Sequence, residues 1–375
     1  MRIGFDGKRA IQNNTGLGNY SRYVVEIMSE FHPENSYVLF APKKKKNPRL
    51  NKLLSQASVS FRFPETFLKK RLSALWRLTF QRRDLQREQI EIFHGLSNEI
   101  PIGIGRTGIK SVVTIHDLIF LRFPQYYHPI DRFIYKLKFR YACRQADKII
   151  AISESTKRDI VNFFSIPENK IEVVYQGCHP VFSKEVENKK REEVRIKYTL
   201  PAEYLLYVGT IESRKNLLLV VKALKSLPEN IRLVAVGKRT VYQDEVEEFI
   251  RDNNMQHRVQ LFNQIPFEDL PAFYSQAKIF VYPSFFEGFG IPIIEAMSQG
   301  IPVIAATGSC LEEAGGKHSL YVHPENAQEL SEKIEKIWNN PEQAQLMSEQ
   351  GREYVKKFSD EKIADDLLSV YASLI

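Results

Sequence analysis

The chain has 375 residues, 43% hydrophobic and 26% charged, with a net charge of +8 and three cysteines. That length suits two domains of ordinary size. No apolar run reaches the ~18–20 residues needed to span a bilayer. Cys143, Cys178 and Cys310 are scattered and odd in number, which argues against a disulfide framework or a metal site.

The charge is uneven. Residues 1–180 hold 30 Lys and Arg against 16 Asp and Glu, and the remainder holds 23 against 29. The basic half is expected to meet an anionic membrane surface, a lipid-linked phosphate or an acidic glycan. Nucleic acid is not expected, because no helix-turn-helix, zinc-finger or RNP-like pattern accompanies the charge. The start, Met1-Arg-Ile-Gly-Phe-Asp6, reads as a first strand rather than a signal peptide, so a cytoplasmic, reduced chain is expected, peripheral at the inner face of the membrane.

In chain order, short apolar runs alternate with helical patterns, as in parallel α/β folds. Strands are predicted at 2–5, 36–40, 92–94, 111–115 and 148–152, and helices at 18–29, 68–87, 129–146 and 154–164. The segment 181–197 is polar and highly charged and reads as an interdomain linker and its flank. A second α/β pattern follows, with strands at 204–208, 231–236, 259–261, 279–282 and 302–305. Helices are predicted at 216–226, 243–252, 270–276, 293–300, 325–339, 341–357 and 359–375. The domains expected are 1–180 and 198–357, with a last helix, 358–375, crossing back to the first.

Several turns carry candidate chemistry. Asn14-Thr-Gly16-Leu-Gly18 is a glycine-rich strand-to-helix turn that lacks the third glycine of a dinucleotide fingerprint. It is either a phosphate-approaching turn or a tight turn alone. The run 67–83 joins Leu72, Trp76 and other apolar residues to a basic face. Its apolar stripe is expected to pack inward, with the cationic face toward a membrane. His116-Asp117 ends a strand, where α/β active sites form; a structural histidine is the alternative. Gly209-Thr-Ile-Glu-Ser-Arg214-Lys215-Asn216 sets two cations in a strand-to-helix loop. Fixed cations there could stabilise a leaving diphosphate without a metal, and no Asp-x-Asp motif occurs in the chain.

The most informative stretch is Pro283-Ser-Phe-Phe-Glu287-Gly-Phe-Gly290-Ile-Pro-Ile-Ile-Glu295. Glu287 falls in a glycine-rich loop after a strand, and Glu295 in the first turn of a helix entered through Pro292. Gly300 stands where a helix C-cap belongs. Ionised carboxylates suit vicinal hydroxyls, and free helix-start N–H groups suit phosphate. A nucleotide sugar carries both features.

This pattern resembles the retaining glycosyltransferases of family 4 (the group 1 transferases), whose signature is Glu, seven residues, Glu. The resemblance implies the α/β GT-B architecture, two Rossmann-like domains facing a crevice. It implies that Glu295 binds the ribose and Glu287 the donor sugar's hydroxyls, helped by backbone N–H groups of Phe289, Gly290 and Ile291. Arg214 and Lys215 would take the diphosphate; many relatives place an Arg where this chain has Thr210. His116 would contact the sugar or acceptor, Gly16 and Gly18 the diphosphate or acceptor, Lys238 the phosphate or base, and Ile265 the base. No cofactor or metal is expected. GDP-mannose is the expected donor, with UDP-sugars open, and the acceptor a glycan or lipid-linked saccharide of a surface polysaccharide or lipopolysaccharide. A nucleotide-sugar epimerase or hydrolase, or an inactive carbohydrate-binding homologue, remains as an alternative.

Overall fold

The computed structural model describes residues 1–65, 71 and 76–375. They form two compact units, Met1–Gln176 with Ser359–Ile375, and Gly177–Phe358.

The first unit is built on a seven-stranded sheet of order β3-β2-β1-β4-β5-β6-β7. Its strands are β1 (Arg2–Asp6), β2 (Ser36–Phe40), β3 (Val59–Arg62), β4 (Ile92–Gly95), β5 (Lys110–Ile115), β6 (Lys148–Ala151) and β7 (Ile171–Val173). All pairings are parallel. Helices cover both faces, so the central strands are buried beyond their first residues and are mostly apolar. The last helix, Asp360–Ala372, closes one face. Its Ile363, Leu367 and Tyr371 join the core around Ile3, Phe5 and Tyr37. Tyr371 Oη lies 2.7 Å from His94 Nδ1, and Tyr23 donates to Asp360 at 2.8 Å.

Of the run expected as one helix over 68–87, residues 76–87 form a π-helical turn, Trp76–Phe80, leading into an α-helix, Gln81–Arg87; residues 68–70 and 72–75, Leu72 among them, lie outside the described residues. Trp76 is buried and donates to Asp84 at 2.6 Å, the inward packing expected of it. Arg77 is buried between Asp6 and Glu99, beside the point where the strand order reverses from β1 to β4.

The second unit repeats the plan with six parallel strands in the order β10-β9-β8-β11-β12-β13. These are β8 (Leu205–Val208), β9 (Leu233–Val236), β10 (Val259–Phe262), β11 (Ile279–Tyr282), β12 (Val303–Ala306) and β13 (Leu320–Val322). The segment read as a linker is ordered within this unit, as a 3-10 turn, Pro180–Ser183, and a helix, Asn188–Tyr198. The helix buries only Val194, so apolar periodicity could not reveal it. It is held instead by one buried carboxylate. Asp269 accepts from Lys190 at 2.6 Å, Lys197 at 2.8 Å and Tyr198 at 2.8 Å.

Burial opposes ionisation of Asp269, yet those three hydrogen bonds hold its pKa down to about 2. The folded pKa is depressed, so its stabilisation is present above the ordinary carboxylate range and is lost as pH falls toward about 2. Asp269→Asn is expected to cost about 2 kcal/mol, discounted because both lysines reach solvent. An unchanged denaturant midpoint at pH 7 would show that the helix does not depend on this anchor.

Candidate active site

In the second sheet the chain runs outward from β8 to β9 and β10, then returns to start β11 on the other side. The loops after β8 and β11 therefore leave the sheet in opposite directions, the switch point where open α/β sheets bind ligands. Both candidate motifs sit there.

The two loops are tied together. Phe285 N donates to the Arg214 carbonyl at 2.9 Å, and the Arg214 guanidinium donates to the Phe286 carbonyl. Asn216, in left-handed backbone geometry at φ 60°, donates to the carbonyls of Pro283 and Pro324. This frame delivers Glu287 between two cations. Its Oε1 accepts from Lys215 Nζ at 2.8 Å, Tyr282 Oη at 3.0 Å and Ser284 Oγ at 3.0 Å. Its Oε2 lies 2.9 Å from Arg214 Nη1. Arg214 also pairs with Glu212 at 2.6 Å, and Lys215 donates to Tyr282 Oη at 2.7 Å.

The side chains of Glu287, Arg214 and Lys215 are 13%, 16% and 14% exposed, so the charges act at short range in a mostly protein environment. Burial pushes the Glu287 pKa up, but the charges of Lys215 and Arg214 overcome this and hold it at about 2. Arg214 is likewise held in its charged form, burial notwithstanding, by Glu287 and Glu212. A carboxylate this acidic is a poor general base. Its remaining capacity lies on Oε2, which can still accept from a ligand hydroxyl.

The helix after the loop runs from Ile291 to Ser298, two residues earlier than expected at its start. Glu295 is therefore in the second turn, not the first, too far along to be held mainly by the helix N-terminus. Tyr274 Oη donates to it at 2.8 Å. Burial raises its pKa to about 7, with the Tyr274 hydrogen bond opposing. The two carboxyls thus have opposite characters, one permanently charged and one poised near neutrality. The helix ends as predicted: Gly300, at φ 75°, donates to Met297 O and Ile301 to Ala296 O, both at 2.9 Å.

Gly290 caps the start of this helix at φ 153°, and a Cβ there would meet Ala314 Cβ at 3.0 Å. Phe289 is buried with its ring against Phe358, so it can offer a ligand only its backbone. Cys310 Sγ lies 2.9 Å from the Glu287 carbonyl and 2.8 Å from that of Phe289. It braces the loop. Tyr282, Ser284, Tyr274 and Glu212 are the other site partners that the motif alone did not reveal. Lys238 is exposed just beyond β9, and Ile265 is half-buried just beyond β10. Both stand at the carboxyl edge of the sheet.

The remaining candidates lie in the first unit. Gly16 opens the Gly16–Phe31 helix with open space where a side chain would be. Gly18 is a packing requirement, because a Cβ would fall 1.9 Å from the Asn13 carbonyl oxygen. His116, just past β5, is buried with both ring nitrogens engaged, Nε2 at 2.9 Å from Leu96 O and Nδ1 at 3.3 Å from Gln176 Nε2. Burial lowers its pKa to about 4, so it is neutral at pH 7. The Tyr20 ring meets it edge-on at 4.6 Å between centroids.

Comparison with known proteins fits this geometry. Residues 189–354 match the model of the glycosyl transferases group 1, and residues 21–181 that of glycosyltransferase family 4. The chain is 30% identical over 376 residues to O-antigen chain mannosyltransferase B of Escherichia coli, covering 96% of each. It is 29% identical over 237 residues to O-antigen chain mannosyltransferase RfbU of Salmonella typhimurium, covering 62% of each. Among solved structures, Anabaena Alr3699/HepE in complex with UDP and glucose aligns over 100% of both chains, with a TM-score of 0.76 at 16% identity. The chain with Glu287 and Glu295 at its switch point is a member of the family 4, group 1 glycosyltransferases.

Proposed function

We propose that this transferase moves mannose from GDP-mannose, with retention of anomeric configuration, to a glycan or lipid-linked saccharide in surface-polysaccharide or lipopolysaccharide synthesis. The observation that carries the site assignment is Glu287 held between Arg214 and Lys215 at the switch point. The mannosyltransferase names of the relatives support the donor.

Glu295 takes the ribose hydroxyls, and Glu287 Oε2 takes a hydroxyl of the donor sugar. The backbone of Phe289 to Ile291, at the helix start, faces the phosphates. Arg214 and Lys215 stabilise the charge that grows on the diphosphate as the bond from the anomeric carbon to phosphate oxygen breaks. The acceptor oxygen bonds to that carbon on the same face, and its proton passes to the departing phosphate oxygen. No protein base is required, in keeping with the low proton affinity of Glu287. The two cations supply the charge that a divalent metal would otherwise supply, so the reaction is read as metal-independent.

The first unit serves the acceptor. There His116 forms a fixed wall rather than a proton carrier, because its nitrogens are engaged. Gly16 leaves room for phosphate or acceptor. Lys238 and Ile265 flank the nucleotide. Among the described residues no helix is long and apolar enough to cross a membrane. The proposed setting is the cytoplasmic face of the membrane, reached through the basic first unit.

The test is transfer by the full chain from GDP-mannose, and from UDP-hexoses in parallel, to a saccharide acceptor with EDTA present. The expected product is an α-mannoside. Transfer only from a UDP-sugar would overturn the donor, an inverted anomer would overturn the stereochemistry, and loss in EDTA would overturn metal independence. Donor conversion equal with and without acceptor would favour the epimerase or hydrolase.

A further inference from the structure

The helix Pro129–Gln145 has two apolar faces, and among the described residues only one is packed against the protein. At about 100° per residue, Tyr135, Phe139, Ala142 and Cys143 fall on one side. That side packs inward, with Phe139 against Phe120 at 5.2 Å between ring centroids and Ala142 and Cys143 fully buried, while Tyr135 meets Phe120 at 5.8 Å and stays 38% exposed at the edge. Ile130, Phe133, Ile134 and Leu137 follow the i, i+3, i+4, i+7 spacing on the opposite side, where a surface helix is normally polar. They are 63%, 64%, 40% and 54% exposed. Gly103 N donates to Tyr141 Oη at 2.8 Å, which lays the loop bearing exposed Ile102 beside the same helix.

Cations border this stripe. Lys136 and Arg140 lie along one margin and Lys138 along the other, Arg144 closes the C-terminal end of the stripe, and Asp131 is the helix's single acid. Lys138 pairs with Glu99, whereas Lys136, Arg140 and Arg144 make no ion pair among the described residues. A second copy of the helix would bring the same cations together, so the charge pattern opposes self-pairing. A surface with an apolar interior and anionic head groups complements both features at once.

We infer that the outer face of the Pro129–Gln145 helix docks on an anionic lipid bilayer, its four apolar side chains entering the interface and its cations meeting the head groups. The inference rests on the membrane-facing part of the proposed function and not on its sugar chemistry. It places the contact on a helix distinct from the basic run at 67–83. Interfacial binding would hold the enzyme where a lipid-linked acceptor is presented.

The experiment uses the full chain and vesicles of phosphatidylcholine with and without phosphatidylglycerol. Co-sedimentation is expected only when phosphatidylglycerol is present. Tryptophan placed at the stripe by Phe133→Trp should shift its emission to the blue on binding, against buried Trp76 and the nearly buried Trp338. Phe133→Ser with Leu137→Ser, and separately Lys136→Glu with Arg140→Glu, should each lower partitioning at least about tenfold while transfer to a soluble acceptor is kept. Wild-type partitioning that both double variants retain would leave the membrane reading standing and overturn this helix as the contact. Failure of the wild type to bind either vesicle would overturn both. A dimer in sedimentation velocity that Phe133→Ser with Leu137→Ser dissolves, without vesicle binding, would assign the stripe to a second copy instead.

Discussion

Glu287→Gln should bind nucleoside diphosphate more tightly than the wild type while losing transfer. Arg214 and Lys215 are balanced by Glu212 and Glu287, so the ligand-free cluster is formally neutral. Removing one carboxylate leaves a positive charge facing the phosphates. At an effective dielectric constant of about 20 and a separation of about 7 Å, one such charge is worth about 2 kcal/mol. Part of this is spent on reorganisation, so a gain of about tenfold in affinity is expected. Transfer should fall about 10²–10³-fold, the range for loss of one preorganised electrostatic group. Stability should fall too, by about 3 kcal/mol, because two mostly buried cations lose their shared anion. The sign follows from the depressed pKa: stabilisation by Glu287 is full above the ordinary carboxylate range and fades as pH falls toward about 2. Calorimetric titration with GDP and UDP, beside initial rates, reads both effects. Weaker nucleotide binding with transfer intact would sink the assigned role.

The balance of charges behind that expectation could not be read from the motif. Spacing located Glu287 and the cations on separate loops after separate strands. That the loops meet depends on β8 and β11 pairing side by side, a long-range fact of the sheet. Strand and helix positions in the interior were legible because buried parallel strands are continuous apolar runs; Ile279–Tyr282 and Ser36–Phe40 were predicted to the residue. The edge strands β3, β7 and β13 were not. Val59–Arg62 is only half-buried along its length, and Ile171–Val173 and Leu320–Val322 are three residues each, too short to show a period. The Asn188–Tyr198 helix was missed for a different reason: ion pairs to Asp269 hold it, and charge is the usual mark of a linker. The spacing puts Glu295 in the right helix but one turn too early, because the helix starts at Ile291. Tyr274, which donates to it there, lies on another helix and has no motif to announce it.

The buried setting of Glu295 makes nucleotide binding depend on pH in a way that Glu295→Gln should erase. Burial holds the Glu295 carboxyl at a pKa of about 7 in the free protein, with Tyr274 donating to it. A neutral carboxyl must spend one oxygen on its own proton, whereas the ionised form can accept from both ribose hydroxyls. If ionisation limits binding, GDP affinity should rise about tenfold from pH 6 to pH 8 and level off above the pKa. The terminal phosphate of the nucleotide can titrate near pH 6 as well. Glu295→Gln keeps that titration and removes the carboxyl, so the difference between the two proteins isolates Glu295. The same shift has a stability consequence of opposite sign to that of Glu287. Here the folded pKa is raised, so the group is neutral to stability below the ordinary carboxylate range and increasingly destabilising as pH rises toward about 7. Without nucleotide, Glu295→Gln should therefore melt above the wild type at pH 8, with the gap closing by pH 4. With saturating GDP the order should reverse, because only the wild type gains the ribose contact. Equal melting temperatures at pH 8 without ligand, together with parallel affinity profiles for the two proteins, would remove Glu295 from the nucleotide site and leave Glu287 with the two cations to bind the donor.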